Sequence, residues 1–247
     1  MDSVLELTSE ALGGAGVVFT FNPARPDVRA ERVLRIQGYK DLGRVRPAIT
    51  QAAVEMAKVA ERLAAPGAAW CCVPIRSLRT GVMGLEGGTQ LRCEAFDELL
   101  AGCTAIAPFV LSVGRPIGEH VIELADRGDL LEAVLLETAG WLAIEDATRQ
   151  FRSHLREAAA ARGQRITTRL GPGYTYRYGK AEVMWALEEQ AALFSLFGGA
   201  ELPVTLHASC AMNPKLSRSG MHGLAPASIP EHPATHSGAP ATQEQKS

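Results

Sequence analysis

The sequence predicts an α+β fold in which helices flank a sheet of short apolar strands. Pro47 opens a segment whose apolar residues recur every three or four positions, as in an amphipathic helix, and Asp129 opens a longer one. The apolar runs at 68–75 and 103–113 are short enough for buried strands. With 247 residues, 47% apolar and 21% charged, the chain has the composition of an ordinary globular protein, large enough for one sizeable domain or two small ones.

The amino-terminal half alternates between helix and strand patterns. Glycines and prolines interrupt residues 1–30, which we expect to form an irregular segment. The remaining elements follow from periodicity and from bounding glycines: a helix from 31 to Gly38, a helix from Pro47 that ends before Gly67, a strand at 68–75, a hairpin of 80–83 with 89–93, and a helix at 95–101.

The next elements are a strand at 103–113, a helix at 118–125 and the longest helix, which begins at Asp129. Glu132 lies three residues after Asp129, as in a capping box. The apolar stripe expected to face inward is Leu131, Val134, Leu135, Thr138, Trp141 and Leu142. Glu145 falls next on that stripe, and the small residues Gly140, Ala143 and Ala147 provide a flank where another backbone or a flat ligand could approach.

The carboxy-terminal part is assigned in the same way. We predict a strand at 165–169, a helix at 181–197 and a strand at 202–206. Residues 225–247 are rich in Pro, Ala, Ser, Thr and His, and we expect them to be a disordered tail. The single domain is therefore placed at 31–224.

Composition excludes several classes of function. A net charge of −2 argues against a general nucleic-acid-binding protein. The five cysteines lack the spacing of a zinc site and are expected to be reduced core residues, so no metal site is predicted. The first residues lack a signal-peptide pattern, and no apolar run approaches the ~18 residues of a membrane helix, so we expect a cytoplasmic protein without a membrane partner.

The segment Arg169-Leu170-Gly171-Pro172-Gly173-Tyr174 is the most informative motif. Arginine binds a carboxylate through two parallel hydrogen bonds, and glycines allow the main chain to approach a ligand closely. The alternative is an ordinary turn, with Arg169 in an ion pair at a strand end and Tyr174 as a core residue whose hydroxyl reaches the surface.

A second motif lies downstream, within residues 206–220. It has the order Ser209, Ala211-Met212, Pro214 and then Ser217-x-Ser219-Gly220. Together with Glu145 on the long helix and the loop at 169–174, it resembles the reactivation domain of cobalamin-dependent methionine synthase, especially free-standing single-domain relatives of that module. The resemblance spans residues 31–224, and its specific part is confined to 140–220.

The resemblance implies a fold like the methionine synthase activation domain, with a bent, mainly antiparallel sheet flanked by helices. It also implies a methyltransferase that uses S-adenosylmethionine (SAM) for the reductive methylation of inactive cob(II)alamin, in methionine biosynthesis. The cobalamin would be carried by a separate methionine synthase or a related corrinoid methyltransferase. A flavodoxin-like or ferredoxin-like protein would donate the electron.

The resemblance also assigns residues. Glu145 and Tyr174 take the catalytic roles. The residues that it implies bind the cofactor are Arg169, Gly171, Pro172, Gly173, Tyr174, Ser217, Ser219, Gly220 and His222. No metal ligand of this chain is implied.

Two departures from the family pattern keep other interpretations open. Ala208 replaces an acidic residue that precedes Ala-Met in the synthase, and His222 replaces a frequent tyrosine. These departures favour a non-catalytic SAM-binding or adaptor protein as the alternative, and a reactivator of corrinoid-dependent demethylases is a third interpretation. At the residue level, Glu145 could simply pair with Arg149. Likewise, 217–220 could be a surface turn and His222 a solvated loop residue.

Overall fold

The computed structural model describes residues 17–178, 181–229 and 235–236. The helices are α1 Ala30–Ile36, α2 Pro47–Leu63, α3 Phe96–Leu99, α4 Pro116–Asp126, α5 Leu130–Ala160 and α6 Glu189–Ser195, with a short 3-10 helix at Leu42–Arg44. The strands are β1 Val18–Phe21, β2 Gly67–Cys71, β3 Val73–Arg79, β4 Val82–Leu85, β5 Gln90–Arg92, β6 Ala105–Ser112, β7 Gln164–Ile166, β8 Thr175–Tyr178, β9 Ala181–Met184, β10 Thr205–Leu206, β11 Met212–Asn213, β12 Ser217–Pro226 and β13 Thr235–His236.

An eight-stranded sheet forms the centre of the molecule. Its order is β1-β2-β6-β3-β4-β5, with β12 paired to both β6 and β7, and every pairing is antiparallel. Helices lie against this sheet, so the predicted α+β fold with a mainly antiparallel sheet flanked by helices is confirmed. Strands β8, β9 and β13 form a second, three-stranded sheet, and β10 pairs with β11.

Strand β6 divides the hydrophobic core into two layers. All eight of its residues are buried, and it pairs with β12 along its whole length. Side chains alternate between the faces of a strand. Phe109 and Leu111 therefore pack in the layer formed with α2, α4 and α5, while Ile106 and Val110 pack in the layer that holds Trp185.

The long helix α5 begins after Asp129 as predicted, although the Asp129 side chain makes no capping hydrogen bond. Its small flank is confirmed at Gly140, where an added Cβ would lie 2.5 Å from Cδ1 of Leu216. The predicted inward stripe is partly wrong: Leu131, Val134 and Trp141 are 41%, 47% and 40% exposed. Leu135, Thr138 and Leu142 of that stripe are buried as predicted. Helices α1, α2 and α4 cover other arcs of α5, so its small residues are buried as well.

Several boundaries also differ from the sequence predictions. The predicted helix at 181–197 is wrong at its start, because 181–184 pair as β9 with β8 and only Glu189–Ser195 are helical. The expected irregular segment contains β1, and the strand at 68–75 divides into β2 and β3. The predicted strands 165–169 and 202–206 shorten to β7 and β10. The other predicted helices and the 80–93 hairpin are present.

The predicted tail at 225–247 lies mostly outside the described residues, as do 1–16 of the expected amino-terminal segment. Within the described part, β12 continues to Pro226, and Thr235–His236 pair with β8. No described helix combines the length and the apolar character needed to cross a bilayer.

The cysteines are free thiols. Cys71, Cys72 and Cys93 are buried, as expected of core residues, whereas Cys103 and Cys210 are half-buried. Burial raises the pKa of Cys71 to about 12 and that of Cys72 to about 11, so both remain protonated at neutral pH. Among the described residues, no group of three or more His, Cys, Asp or Glu side chains could hold a metal ion.

Candidate functional site

Residues 171–174 form a tight turn that backbone hydrogen bonds join to Trp185. The Tyr174 amide donates to the Gly171 carbonyl at 3.4 Å, and Gly173 has φ +83°, the value that a type II turn requires after proline. The Gly173 amide donates to the Trp185 carbonyl at 2.7 Å, and the Trp185 amide donates to the Tyr174 carbonyl at 3.0 Å. Pro172 and these hydrogen bonds hold the loop in one conformation.

Tyr176 supports the turn from within the core. Its buried hydroxyl accepts a hydrogen bond from the Gly171 amide at 2.6 Å and donates to the Gly171 carbonyl at 3.0 Å. Burial raises the pKa of Tyr176, so the hydroxyl keeps its proton at neutral pH. A ligand that used the Gly171 amide would have to replace this hydrogen bond.

On its other side, the loop pairs with β12. The amides and carbonyls of Leu170 and Met221 exchange two hydrogen bonds of 2.9 and 2.7 Å. An added Cβ at Gly220 would lie 2.5 Å from the Leu170 carbonyl oxygen and 3.5 Å from Cγ of Arg169. Gly220 therefore permits the close approach that sets Arg169 against β12.

The Arg169 side chain folds back over its own loop. Its guanidinium carbon lies 4.5 Å from the centre of the Tyr174 ring, and Nη1 lies 3.1 Å from the Cβ position of Gly171. Nη1 is buried and makes no hydrogen bond within the described part of the chain. No described carboxylate forms an ion pair with Arg169, so the alternative of an ion pair at a strand end is not observed.

Glu145 faces solvent rather than the core. Its side chain is 51% exposed, and its carboxylate lies 3.4 Å from Nη2 of Arg32 on α1. The alternative pairing with Arg149 is wrong, because Arg149 pairs with Asp146. Glu145 lines a polar cavity of about 360 Å³, whose other lining residues are Asp27, Arg29, Arg32, Asp146 and Arg149.

Ser217, Ser219 and Gly220 belong to β12 and are buried, so the surface-turn interpretation is wrong. The Ser217 hydroxyl donates to the Pro214 carbonyl at 2.6 Å. The Ser219 carbonyl lies 3.3 Å from the Cβ position of Gly171 and thus borders the loop directly. Strand pairing with β6 explains the difference, since Ser217 to Leu224 match Ala105 to Ser112 residue for residue.

His222 is fully buried on β12, so the solvated-loop interpretation is wrong. Its Nδ1 lies 2.8 Å from the Thr167 carbonyl oxygen, which only accepts hydrogen bonds, so Nδ1 carries the proton. Burial, with a contribution from nearby arginines, lowers the pKa of His222 to about 4. At neutral pH the ring is therefore uncharged, and Nε2 is a hydrogen-bond acceptor.

Two arginines that the sequence analysis did not select lie in the same region. Arg218 on β12 lies 3.5 Å from the Thr148 hydroxyl on α5, and burial with repulsion from Arg169 lowers its pKa. Arg152 lies one turn further along α5, and its buried Nε has no hydrogen-bond partner in the described chain. Arg218 carried a signal in the sequence, because it is the one residue of fixed charge within Ser217–Pro226.

Of three comparisons with known proteins, the one with solved structures agrees with this fold. No protein-family model and no curated protein sequence matches the chain. Among solved structures, the chain is similar to the crystal structure of the MetH reactivation domain bound to AdoHcy, at 14% identity and a TM-score of 0.56. The match covers 87% of this chain and 81% of that one. A similarity at this level of identity shows a shared fold, the fold that the sequence resemblance implies.

Proposed function

We propose that this protein binds SAM at the Arg169–Tyr174 loop and serves the reductive methylation of cob(II)alamin carried by a separate methionine synthase or related corrinoid methyltransferase. The observation that carries the proposal is the buried Nη1 of Arg169, which has no hydrogen-bond partner in the described chain and lies beside Gly171 of the turn. A fixed donor of this kind suits the α-carboxylate of SAM. The solved domain with the same fold has AdoHcy bound, which supports an adenosyl ligand.

The residues of this chain would position the ligand. Arg169 would bind the carboxylate, and Pro172 with Gly173 would keep the loop shape. Tyr174, whose ring already lies against the guanidinium, would offer a flat surface to the ligand. Ser219 and Gly220 would form the opposite wall, with Ser217 fixing the start of β12. His222 would accept a hydrogen bond through Nε2 rather than donate a proton, because its ring is neutral.

Glu145 is the candidate partner for the ligand ammonium group. Its ion pair with Arg32 is exposed, and exposed pairs contribute no more than about 1 kcal/mol, so the carboxylate can exchange partners. SAM would supply the methyl group and leave as S-adenosylhomocysteine, and an external reductant would supply the one electron that cob(II)alamin needs to accept it. Holding the two reactants together would then replace a rare encounter by an intramolecular one.

A non-catalytic SAM-binding protein is the second candidate. Glu145 is engaged by Arg32 on the solvent-facing side of α5, and Ala208 is exposed and carries no charge. The chain therefore presents fewer acidic groups to the ammonium and sulfonium charges than the resemblance implies. Such a protein would keep the loop and lose the chemistry.

Calorimetric titration with SAM tests the binding step. Arg169→Ala removes the carboxylate partner, and charge-assisted hydrogen bonds of this kind are worth roughly tenfold to hundredfold in affinity. Arg177→Ala is the matched control, because Arg177 is exposed and pairs with Glu182. Equal affinity of the wild type and Arg169→Ala would refute the site assignment.

Turnover separates the two candidates. The purified protein would be mixed with SAM, a chemical reductant and a cob(II)alamin-loaded methionine synthase module, and methylcobalamin would be followed by its absorption spectrum. Methylcobalamin formation above the rate without this protein supports the enzyme. SAM binding without any methylcobalamin leaves only the binding protein.

A further inference from the structure

Four basic side chains lie together between α5 and β12. Arg218 contacts Thr148 on α5, and Arg152 follows Thr148 by one helical turn. Arg169 acts electrostatically on both Arg218 and His222, and Arg152 acts on His222. The guanidinium groups of Arg152, Arg169 and Arg218 are hereafter called the arginine cluster.

The arginine cluster has hydrogen-bond donors that nothing in the described chain uses. Nε of Arg152 and Nη1 of Arg169 are buried without an acceptor. Nε2 of His222, also buried, lacks a partner and is an acceptor because Nδ1 carries the proton. Buried polar groups in folded proteins are almost always hydrogen-bonded, so this combination indicates a missing polar ligand.

The charge of the arginine cluster is also unbalanced. None of its three members forms an ion pair with a carboxylate in the described residues. Glu145 is close enough to affect Arg218, but its carboxylate pairs with Arg32. Partly buried cations are costly to keep without a counter-charge.

A single carboxylate does not balance this cluster. The α-carboxylate of SAM would neutralise one guanidinium, while its ammonium and sulfonium groups would add positive charge. Arg152 and Arg218 therefore remain unexplained by the proposed function, which uses Arg169 alone. Because His222 is neutral, it adds no fourth positive charge to the arginine cluster.

We propose that Arg152, Arg169 and Arg218 form an oxyanion site for a ligand group with two negative charges, either a phosphate or a pair of carboxylates. Planar guanidinium groups bind both through paired hydrogen bonds. The Nε2 of His222 accepts a hydrogen bond from a hydroxyl or amino group of the same ligand. The site goes beyond the proposed function and shares Arg169 with it.

Thermal unfolding with added oxyanions tests this site. Inorganic phosphate and malonate are added separately at pH 8, with sodium chloride and acetate at matched ionic strength as controls. A ligand that binds only the folded state raises Tm. We expect phosphate or malonate to raise Tm while acetate does not, and the more effective of the two identifies the source of the dianion. No rise in Tm with either would overturn the proposal.

Arg218→Leu tests the assignment to residues. Removing an unpaired, partly buried charge should leave the folded protein at least as stable, so the variant remains measurable. We expect it to weaken oxyanion binding roughly tenfold or more, whereas Arg177→Leu leaves binding unchanged. Wild-type affinity for the oxyanion in Arg218→Leu would refute the arginine cluster as the site.

Titrating SAM into the same proteins separates the two proposals. Arg218→Leu should bind SAM as tightly as the wild type, or more tightly, because it removes a charge that repels the sulfonium. Oxyanion binding without SAM binding would refute the proposed function alone. SAM binding without any oxyanion effect would refute the arginine cluster alone.

Discussion

At the residue scale, burial decides what a titratable group can do. Tyr176 keeps its proton and uses its hydroxyl to hold Gly171, although its position between Tyr174 and Tyr178 in the sequence gives no sign of this role. His222 is neutral because its ring is fully enclosed beside arginines. Both residues shape the loop region without carrying charge into it.

The buried His222 predicts how stability depends on pH. Its pKa is near 6.5 when unfolded and about 4 when folded, so the unfolded state binds the extra proton between these values. The contribution of neutral His222 to the free energy of unfolding is complete above about pH 6.5. It is lost as the pH falls towards 4, and the loss amounts to roughly 3 kcal/mol. Burial also lowers the pKa of His154, so this residue adds a loss of stability in the same pH direction.

Urea unfolding of the wild type and of His222→Gln at several pH values between 7.5 and 4.5 measures this effect. Glutamine can still donate to the Thr167 carbonyl but does not titrate. We expect the free energy of unfolding of the variant to fall less between these values than that of the wild type. His207→Gln, at an exposed position, should behave as the wild type. Equal losses in the wild type and His222→Gln would contradict the prediction.

At the element scale, the conformation of the 169–174 loop depends on how closely β12 approaches it. The strand carries Gly220 opposite the Leu170 carbonyl, where even one methyl group would lie at 2.5 Å from backbone oxygen. Backbone atoms cannot move aside as a flexible side chain can. The position of Arg169 is therefore set by a glycine on a different strand.

Gly220→Ala should separate the loop from β12. We expect a loss of about 2 kcal/mol or more in the free energy of unfolding, together with weaker SAM binding, because overpacking against backbone is costly. Gly118→Ala on α4 is the control, since nothing lies within 4 Å of its Cβ position and alanine favours a helix by up to about 1 kcal/mol. Chemical denaturation and calorimetry measure both quantities. Wild-type stability of Gly220→Ala would show that the loop is not held so closely.

Helix α5 shows where periodicity alone is insufficient. Apolar and small residues occur around much of its circumference, so more than one stripe could be assigned to the core. The predicted stripe includes the exposed Leu131, Val134 and Trp141, whereas Ala139 and Ala143 outside it are fully buried. At Gly140 the lack of a side chain lets Leu216 approach closely, so a small residue on this helix can face the core as well as a large one.

At the scale of the whole molecule, the central sheet joins two core layers into one structure. Strand β6 supplies alternate side chains to each layer, so neither layer can lose its packing without disturbing the other. Each layer contains one buried tryptophan, Trp70 on the side of α5 and Trp185 on the other side.

These two tryptophans test whether the layers unfold together. Variants that retain only Trp70 or only Trp185, each with Trp141→Phe, would be unfolded in urea and followed by fluorescence and by circular dichroism. We expect each variant to give coincident midpoints by the two methods, as a two-state transition requires. A fluorescence midpoint that precedes the loss of helix in either variant would show that the layers are independent.

The sequence by itself determined the α+β class, the helices at Pro47 and Asp129, the hairpin at Gly87-Gly88 and the loop that contains Arg169. These follow from periodicity, turn residues and a short motif, all of which are local. The sequence also indicated a ligand for Arg169, through the resemblance and through the chemistry of a guanidinium beside glycines.

Only the tertiary structure decided which face of α5 is buried, that 217–220 is strand rather than turn, and that Glu145 pairs with Arg32. It alone brought Arg218 near Arg169, 49 positions away in the chain, and brought Arg152 and Arg169, 17 positions apart, near the same His222. Contacts between residues distant in sequence depend on how elements pack across the sheet. Local sequence patterns do not specify that packing, because the same helix or strand can present several faces to its neighbours.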